Sequence, residues 1–179
     1  MDKKLAILGL GYVGLPLAVE FGKKFDTVGL DINGERVDEL KTGYDRTLET
    51  NKEELQSAKQ LRLTCDLNEL RDANIYIVTV PTPIDKNNHP DLTPIEKSTE
   101  ALAQYVQKGD IVVYESTVYP GVTEEVCVPI IERVSGLKFN EDFYCGYSPE
   151  RINPGDKERT LTKILKITAG SVSYTHLTL

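Results

Sequence analysis

The sequence contains no tryptophan, only two histidines and only three cysteines. The histidines, His89 and His176, have no metal-ligand pattern around them, so we expect no metal site. Cys65, Cys127 and Cys145 are odd in number and show no C-x-x-C spacing. Since each lies in or beside a predicted strand or helix, we expect three buried, reduced thiols.

Long apolar runs and an excess of basic residues are also missing. The longest apolar runs have the length of strands, whereas a helix that spans a bilayer needs about 20 residues. The chain enters its first strand within a few residues, which leaves no room for a signal peptide and predicts a cytoplasmic protein. A formal net charge of −7 provides no basic face for nucleic acid. We therefore expect neither a membrane nor a nucleic-acid partner.

The most informative stretch is residues 3–31, which read KKLAILGLGYVGLPLAVEFGKKFDTVGLD. An apolar run leads into G-x-G-x-x-G, a helical pattern follows, and a second apolar run ends on an acidic residue about 20 positions further on. This order of strand, glycine turn, helix and strand indicates a dinucleotide-binding βαβ unit. In the alternative interpretation, the glycines only form a turn and the acidic residue caps the next helix.

Each residue of this fingerprint has a structural role in nucleotide binding. Gly9 permits a tight turn, Gly11 removes a side chain where a pyrophosphate approaches the backbone, and Gly14 allows close packing of the helix. Asp31 can accept hydrogen bonds from both adenosine ribose hydroxyls, and its charge would repel a 2′-phosphate, so we expect NAD and not NADP. Arg36 could stack on the adenine or bond a ribose hydroxyl, or it could be a solvated helix arginine.

Three polar residues follow later predicted strands. Thr82 comes after the fourth strand, Thr117 after the fifth and Glu150 after the sixth. Ligands of open parallel sheets bind at the carboxyl ends of the strands, so both threonines are candidate cofactor contacts. An ordinary loop role stays open for each threonine, and spacing alone favours an exposed loop position for Glu150.

The alternation of strand-length apolar runs with helical patterns predicts an α/β fold. We expect the Rossmann type, with a doubly wound, mainly parallel sheet and helices on both faces. Residues 163–170 alternate between apolar and polar and are expected to form an edge strand. The predicted nucleotide-binding domain covers residues 1–170, and at this size it buries about 70% of its unfolded surface.

Five motifs in order, LGLGYVGLPLAVEFG, TVPTP, DLTP, VVYESTVYPGVTEE and YSPERINPGD, resemble the UDP-glucose/GDP-mannose dehydrogenase family. Residues 151–155 resemble its acetamido-sugar branch, the bacterial UDP-N-acetylglucosamine and UDP-N-acetylgalactosamine 6-dehydrogenases of the Vi-polysaccharide type. The resemblance implies an enzyme that oxidises the C6 alcohol of a UDP-N-acetylhexosamine to the uronic acid with two NAD, for capsule or related polysaccharide synthesis. It also implies that the full-length parent is a homodimer.

The resemblance further implies roles for individual residues. The implied phosphate loop consists of Gly9, Gly11, Tyr12, Val13 and Gly14. Asp31 and Arg36 are implied to hold the adenosine ribose, and Thr82 and Thr117 to contact the cofactor near the nicotinamide. Glu150, in the family's Ser-Pro-Glu motif, is implied to work with an ordered water or a thioester during hydrolysis. Glu150 and Thr117 are therefore the implied catalytic residues.

The chain departs from the family pattern after the last motif. The family's nucleophilic cysteine, central dimer helix and UDP-binding domain are expected beyond this point and are absent from the sequence, while residues 171–179 resemble a foreign tail. The sequence thus predicts the NAD-binding portion of a nucleotide-sugar dehydrogenase, which binds NAD without turnover. The alternative is a stand-alone NAD-binding regulatory module.

Overall fold

The computed structural model describes residues 2–84, 86–87, 89–150, 167–170 and 176–178. The strands are β1 (Lys4–Leu8), β2 (Asp26–Leu30), β3 (Leu61–Thr64), β4 (Ile75–Val78), β5 (Ile111–Tyr114), β6 (Tyr144–Tyr147), β7 (Ile167–Gly170) and β8 (His176–Thr178). They form one sheet in the order β3-β2-β1-β4-β5-β6-β7-β8. The first six strands pair in parallel, and the last two pairings are antiparallel.

The helices alternate with the strands. They are α1 (Gly14–Gly22), α2 (Gly34–Lys41), α3 (Lys52–Ser57), α4 (Thr93–Ala103) and α5 (Val128–Ser135), with a 3₁₀ helix at Leu67–Asp72 and a π-helical turn at Thr123–Cys127. Pro129 has no N–H for an α-helical bond to residue 125, which accounts for the wider turn before α5. No helix within the described residues is long and apolar enough to cross a membrane.

Successive side chains of β1 point to opposite faces of the sheet and belong to two separate cores. Leu5 and Ile7 pack against α1 and the end of α2. Ala6 and Leu8 lie in the other core, under α4 and α5. The helices therefore cover both faces, which confirms the predicted Rossmann-type fold and leaves the carboxyl ends of the strands for a ligand.

The strand order changes direction at β1. This strand pairs with β2 on one side and with β4 on the other. The chain therefore runs from β1 to β3 toward one end of the sheet, and from β4 onward toward the other end. In doubly wound sheets the crevice at this point, outside the carboxyl ends of the strands, binds the ligand. The glycine turn follows β1 directly and thus lies at this crevice.

Of the edge strand predicted at residues 163–170, the structure describes residues 167–170, for which the edge position is wrong, and residues 163–166 lie outside the described part. β7 lies between β6 and β8, because its second side pairs with the short strand at residues 176–178. The assignment of residues 1–170 to one domain and of residues 171–179 to a foreign tail stays a prediction. Residues 151–155, which resemble the acetamido-sugar branch, lie outside the described part of the chain.

The prediction of three buried thiols holds for two of them. Cys127 and Cys145 are buried, whereas Cys65 is exposed, because it directly follows β3, which lies at the margin of the sheet. Burial raises the pKa of Cys127 to about 11, and burial also raises the pKa of Cys145 well above its usual value. Both buried thiols are therefore protonated near neutral pH, and neither is a good nucleophile.

These environments predict how the thiols react. At pH 8 a charged aromatic disulfide should modify one thiol per native chain, and all three in denaturant, because only Cys65 is exposed. The released chromophore measures the count, and Cys65→Ser should reduce it to near zero in the native protein. Rapid modification of the native Cys65→Ser chain would contradict the burial of the other two.

Candidate dinucleotide-binding site

Residues 9–14 form the turn that connects β1 to α1. Gly9 has φ +96°, a left-handed conformation that favours glycine. A Cβ on Gly14 would lie 1.8 Å from the carbonyl oxygen of Gly9 and 2.3 Å from Oγ1 of Thr79. By contrast, a Cβ on Gly11 would meet no described atom within 4 Å. The first and third glycines are thus required by the fold itself, whereas the middle one opens onto empty space.

Helix α1 begins next to this space. Leu15 N–H already donates to the Gly11 carbonyl oxygen at 3.0 Å and Pro16 has no N–H, so an anion here would meet the positive end of the helix dipole and not a row of free amides of α1. The first turn contains no acidic side chain that would compete with an anion. Val13 is buried and anchors the turn in the core, while Tyr12 is exposed and accessible to a ligand. The arrangement fits a diphosphate group.

Asp31 holds the glycine turn from the end of β2. Its Oδ2 accepts a hydrogen bond from the amide of Leu10 at 2.8 Å, and its Oδ1 accepts one from the amide of Asn33 at 2.9 Å. The carboxylate is half-buried, and each oxygen has a second acceptor position. Asp31 can therefore accept hydrogen bonds from ribose hydroxyls while it keeps its contact with the turn.

Arg36 approaches the same turn from α2. Its side chain is buried, with 5% of the residue exposed, so the alternative of a solvated arginine is wrong. Nε donates to the carbonyl oxygen of Leu10 at 3.0 Å, and Nη2 donates to Oδ1 of Asp45 at 2.7 Å. Nη1 is buried, has no hydrogen-bond partner among the described residues, and lies 3.9 Å from Oε2 of Glu39. A direct contact of Arg36 with the cofactor stays a prediction.

The strand order brings the other predicted residues to one edge. Thr82, Thr117 and Glu150 follow β4, β5 and β6, which are consecutive parallel neighbours. Together with Asp31 after β2 and the turn after β1, they form a row along the carboxyl edge of the sheet. With strands about 4.8 Å apart, four steps separate the ends of this row by about 19 Å.

The polar groups in this row differ in exposure. Thr117 is exposed and Glu150 is half-buried. Oγ1 of Thr82 is buried and has no hydrogen-bond partner among the described residues, and the same is true of Oγ of Ser148. Because a buried hydroxyl without a partner is destabilising, a hydrogen bond from a ligand would compensate at Thr82. Ser116 instead donates to the carbonyl oxygen of residue 80 at 3.0 Å and links the loops after β4 and β5.

Sequence reasoning missed three residues that shape the site. Thr79 donates from Oγ1 to the carbonyl oxygens of Leu8 at 3.0 Å and Gly9 at 2.7 Å, which ties the turn to β4. A hydroxyl at the end of an otherwise apolar strand was the available signal. Leu10 acts through its backbone and has no sequence signal, and the only local signal for Asp45 is an Asp-x-Thr spacing typical of a turn.

Comparisons with known proteins agree with this geometry. Residues 3–177 match the UDP-glucose/GDP-mannose dehydrogenase family, NAD binding domain. The chain is 60% identical over 170 residues to UDP-N-acetyl-D-glucosamine 6-dehydrogenase from Pseudomonas aeruginosa, which covers 95% of the chain and 40% of the relative. It is 59% identical over 172 residues to the protein of the same name from Salmonella typhi, covering 96% of the chain and 40% of the relative.

A solved structure supports the same assignment. The UDP-D-ManNAc dehydrogenase from Pyrococcus horikoshii aligns with a TM-score of 0.81 and 32% identity, over 93% of this chain and 41% of that one. The chain spans about 40% of the length of the curated relatives it matches. The family match confirms NAD as the cofactor, and the chain therefore belongs to the UDP-glucose/GDP-mannose dehydrogenase family, where it corresponds to the NAD-binding domain.

Proposed function

We propose that this chain is the NAD-binding portion of a nucleotide-sugar 6-dehydrogenase that oxidises the C6 alcohol of a UDP-N-acetylhexosamine to the uronic acid with two NAD. The identities of 60% and 59% to proteins named UDP-N-acetyl-D-glucosamine 6-dehydrogenase support this substrate class. The observation that carries the cofactor role is the open space beside Gly11, next to the start of α1. Polysaccharide synthesis would then use the uronic acid.

In this proposal the residues along the carboxyl edge of the sheet contact successive parts of the cofactor, from the adenosine ribose to the nicotinamide. The glycine turn, with Tyr12 and Val13, receives the diphosphate, and Asp31 receives the adenosine ribose. Thr82 and Thr117, on the other side of the turn, face the nicotinamide half. When bound, NAD supplies the hydride acceptor of the oxidation.

Glu150 lies in the half of the row beyond Thr117, away from Asp31. We assign it the role of holding an ordered water for the hydrolytic step, since a half-buried carboxylate can accept a proton from water. Thr117, after the neighbouring strand, is assigned to the same region as a contact to the reacting groups. Both assignments extend the family resemblance to these positions.

The cysteines support binding without turnover by this chain alone. The second oxidation needs a thiolate near the hydride acceptor, to trap the aldehyde covalently. Burial keeps Cys127 and Cys145 protonated. Cys65 is exposed but follows β3, at the opposite end of the sheet edge from Glu150. None of the three can therefore serve as the nucleophile.

The test combines a binding and a turnover measurement on the purified chain. Calorimetric titration should detect NAD binding, while incubation with NAD and UDP-N-acetylglucosamine should give no reduced cofactor above a control without protein. Any turnover should be repeated with Glu150→Gln. Turnover that persists in this variant indicates a contaminating enzyme, and turnover that the variant abolishes would overturn the proposal of a chain that only binds. Failure of the unmodified chain to bind NAD would overturn the cofactor role.

A further inference from the structure

A buried carboxylate organises the loop between α2 and α3. The Asp45 side chain is fully buried and accepts hydrogen bonds from five donors. Its Oδ1 accepts from Nη2 of Arg36 at 2.7 Å, and from the amide and hydroxyl of Thr47 at 2.9 and 2.7 Å. Its Oδ2 accepts from the amides of Glu49 and Thr50, each at 3.0 Å. The carboxylate thus joins this loop to helix α2.

The charge on Asp45 persists despite its burial. Burial by itself would raise the pKa of this carboxyl, but the hydrogen bonds from Thr47 and Arg36 outweigh it and lower the pKa below its usual value. The ion pair with Arg36 is consequently intact at neutral pH. Removal of one partner would leave the other charge buried without compensation, so the two side chains depend on each other.

Arg36, one partner of the ion pair, also bonds to the glycine turn at Leu10. Arg36 Nε donates to the Leu10 carbonyl oxygen, and Asp31 accepts from the Leu10 amide. Gly9 and Gly11, on either side, have no side chains that could restrict the backbone. The orientation of Leu10 is therefore fixed from outside the turn, by an aspartate on one side and a braced arginine on the other.

We propose that Asp45 is a positioning residue for the NAD diphosphate: it braces Arg36, which in turn holds the glycine turn through the Leu10 carbonyl. Asp45 itself touches no cofactor group in this arrangement. The inference rests on the proposed cofactor site. It places Arg36 behind the turn and not at the adenosine ribose, where the family resemblance puts it. A displaced turn then impairs contacts to the diphosphate, while Asp31, which also accepts from the Asn33 amide, keeps its place at the ribose.

The first experiment compares Asp45→Asn with Asp110→Asn. Asp110 is an equally buried carboxylate that accepts a hydrogen bond from the Gln107 amide at 2.7 Å, and it precedes β5 at the opposite edge of the sheet. Affinities for NAD, ADP and adenosine are measured by NMR titration. We expect Asp45→Asn to weaken NAD and ADP about 10-fold, as for the loss of one charge-assisted bond, and adenosine less than about 2-fold. Asp110→Asn should change none of the three.

The second experiment tests whether Asp45 acts through Arg36. In a double-mutant cycle with Arg36→Met, the double variant should bind NAD no more weakly than Arg36→Met alone, because the brace has no effect once the arginine is gone. Additive losses would overturn the proposal. Equal losses for NAD, ADP and adenosine in Asp45→Asn would also overturn it, because they indicate a general disturbance.

Thr47→Val keeps the proposal testable if Asp45→Asn does not fold. This nearly isosteric change removes the hydroxyl that donates to Asp45 Oδ1 and leaves the ion pair in place. We expect a smaller loss of affinity for NAD and ADP than in Asp45→Asn, and an unchanged affinity for adenosine. An unchanged NAD affinity would count against the support of Arg36 by Asp45. Absence of NAD binding in the unmodified chain is a different outcome, since it would refute the cofactor site itself.

Discussion

Replacement of Gly11 by alanine should leave the fold intact and weaken NAD by about 100-fold or more, because two or more charge-assisted hydrogen bonds of about 1.5 to 3 kcal/mol each would be disturbed. A methyl group at this position meets no described atom within 4 Å, so the protein itself has room for it. The same methyl group would occupy the space where the diphosphate approaches the backbone. Calorimetric titration with NAD and thermal unfolding measure the two effects separately.

Gly14→Ala and Gly34→Ala are the matched controls. The methyl group at position 14 would collide with the Gly9 carbonyl oxygen and Thr79 Oγ1, so we expect a loss of about 3 kcal/mol or more in the free energy of unfolding. Gly34 starts α2, and its methyl group would meet no described atom within 4 Å, so this variant should retain both stability and NAD affinity. Wild-type affinity in Gly11→Ala would show that the diphosphate lies elsewhere.

Asp31→Ala should weaken NAD by roughly 10- to 100-fold, since hydrogen bonds to a charged group contribute about 1.5 to 3 kcal/mol. The unmodified chain should bind NADP far more weakly than NAD, because the carboxylate repels a 2′-phosphate. Asp31→Asn keeps an oxygen that can accept a hydrogen bond from the Leu10 amide but removes the charge. This variant should reduce the difference in affinity between NAD and NADP. Competition titrations measure all three effects.

Adenosine separates the role of Asp31 from that of Asp45. Asp31 is assigned to the ribose, so Asp31→Ala should weaken adenosine as well as NAD, whereas Asp45→Asn should weaken only ligands that carry the diphosphate. An unmodified chain that binds NADP as tightly as NAD would refute the ribose role of Asp31. Its hydrogen bonds to the amides of Leu10 and Asn33 would then be its only function.

The glycine fingerprint was predictable because its requirements are local. Gly9 needs a positive φ, and Gly14 needs a close approach within the same turn, so a short motif contains the information. The α/β class followed for a similar reason, since buried parallel strands are continuous apolar runs. The positions of Asp31 and Thr82 followed from the rule that parallel strands end at one edge, whereas Glu150, which spacing alone places in an exposed loop, was indicated only by the family resemblance.

The features that were not predictable depend on distant parts of the chain. Cys65 is exposed because it follows β3, which is the edge strand of the sheet that the described residues form. The burial of Arg36 depends on the loop that carries Asp45, whose conformation arises from hydrogen bonds within the loop. The inner position of β7 depends on a pairing with residues 176–178. In each case the outcome depends on how distant segments are arranged in the fold, which the sequence around the residue does not show.

The contact between Thr79 and Gly9 has a consequence for the order of folding. It joins residues 70 positions apart, as does the pairing of Leu5 with Ile75 in the neighbouring strands. We expect such non-local contacts to form late, because the chain must close a long loop before they become favourable. The first strand, helix and strand contain the whole fingerprint and hold the turn through Asp31 and through the Gly9 amide, which donates to the Leu30 carbonyl oxygen at 2.8 Å. The hydrogen bonds from Thr79 are added only when β4 docks. We therefore expect NAD to stabilise the assembled sheet, and to bind a nascent chain that ends before β4 more weakly than the whole chain.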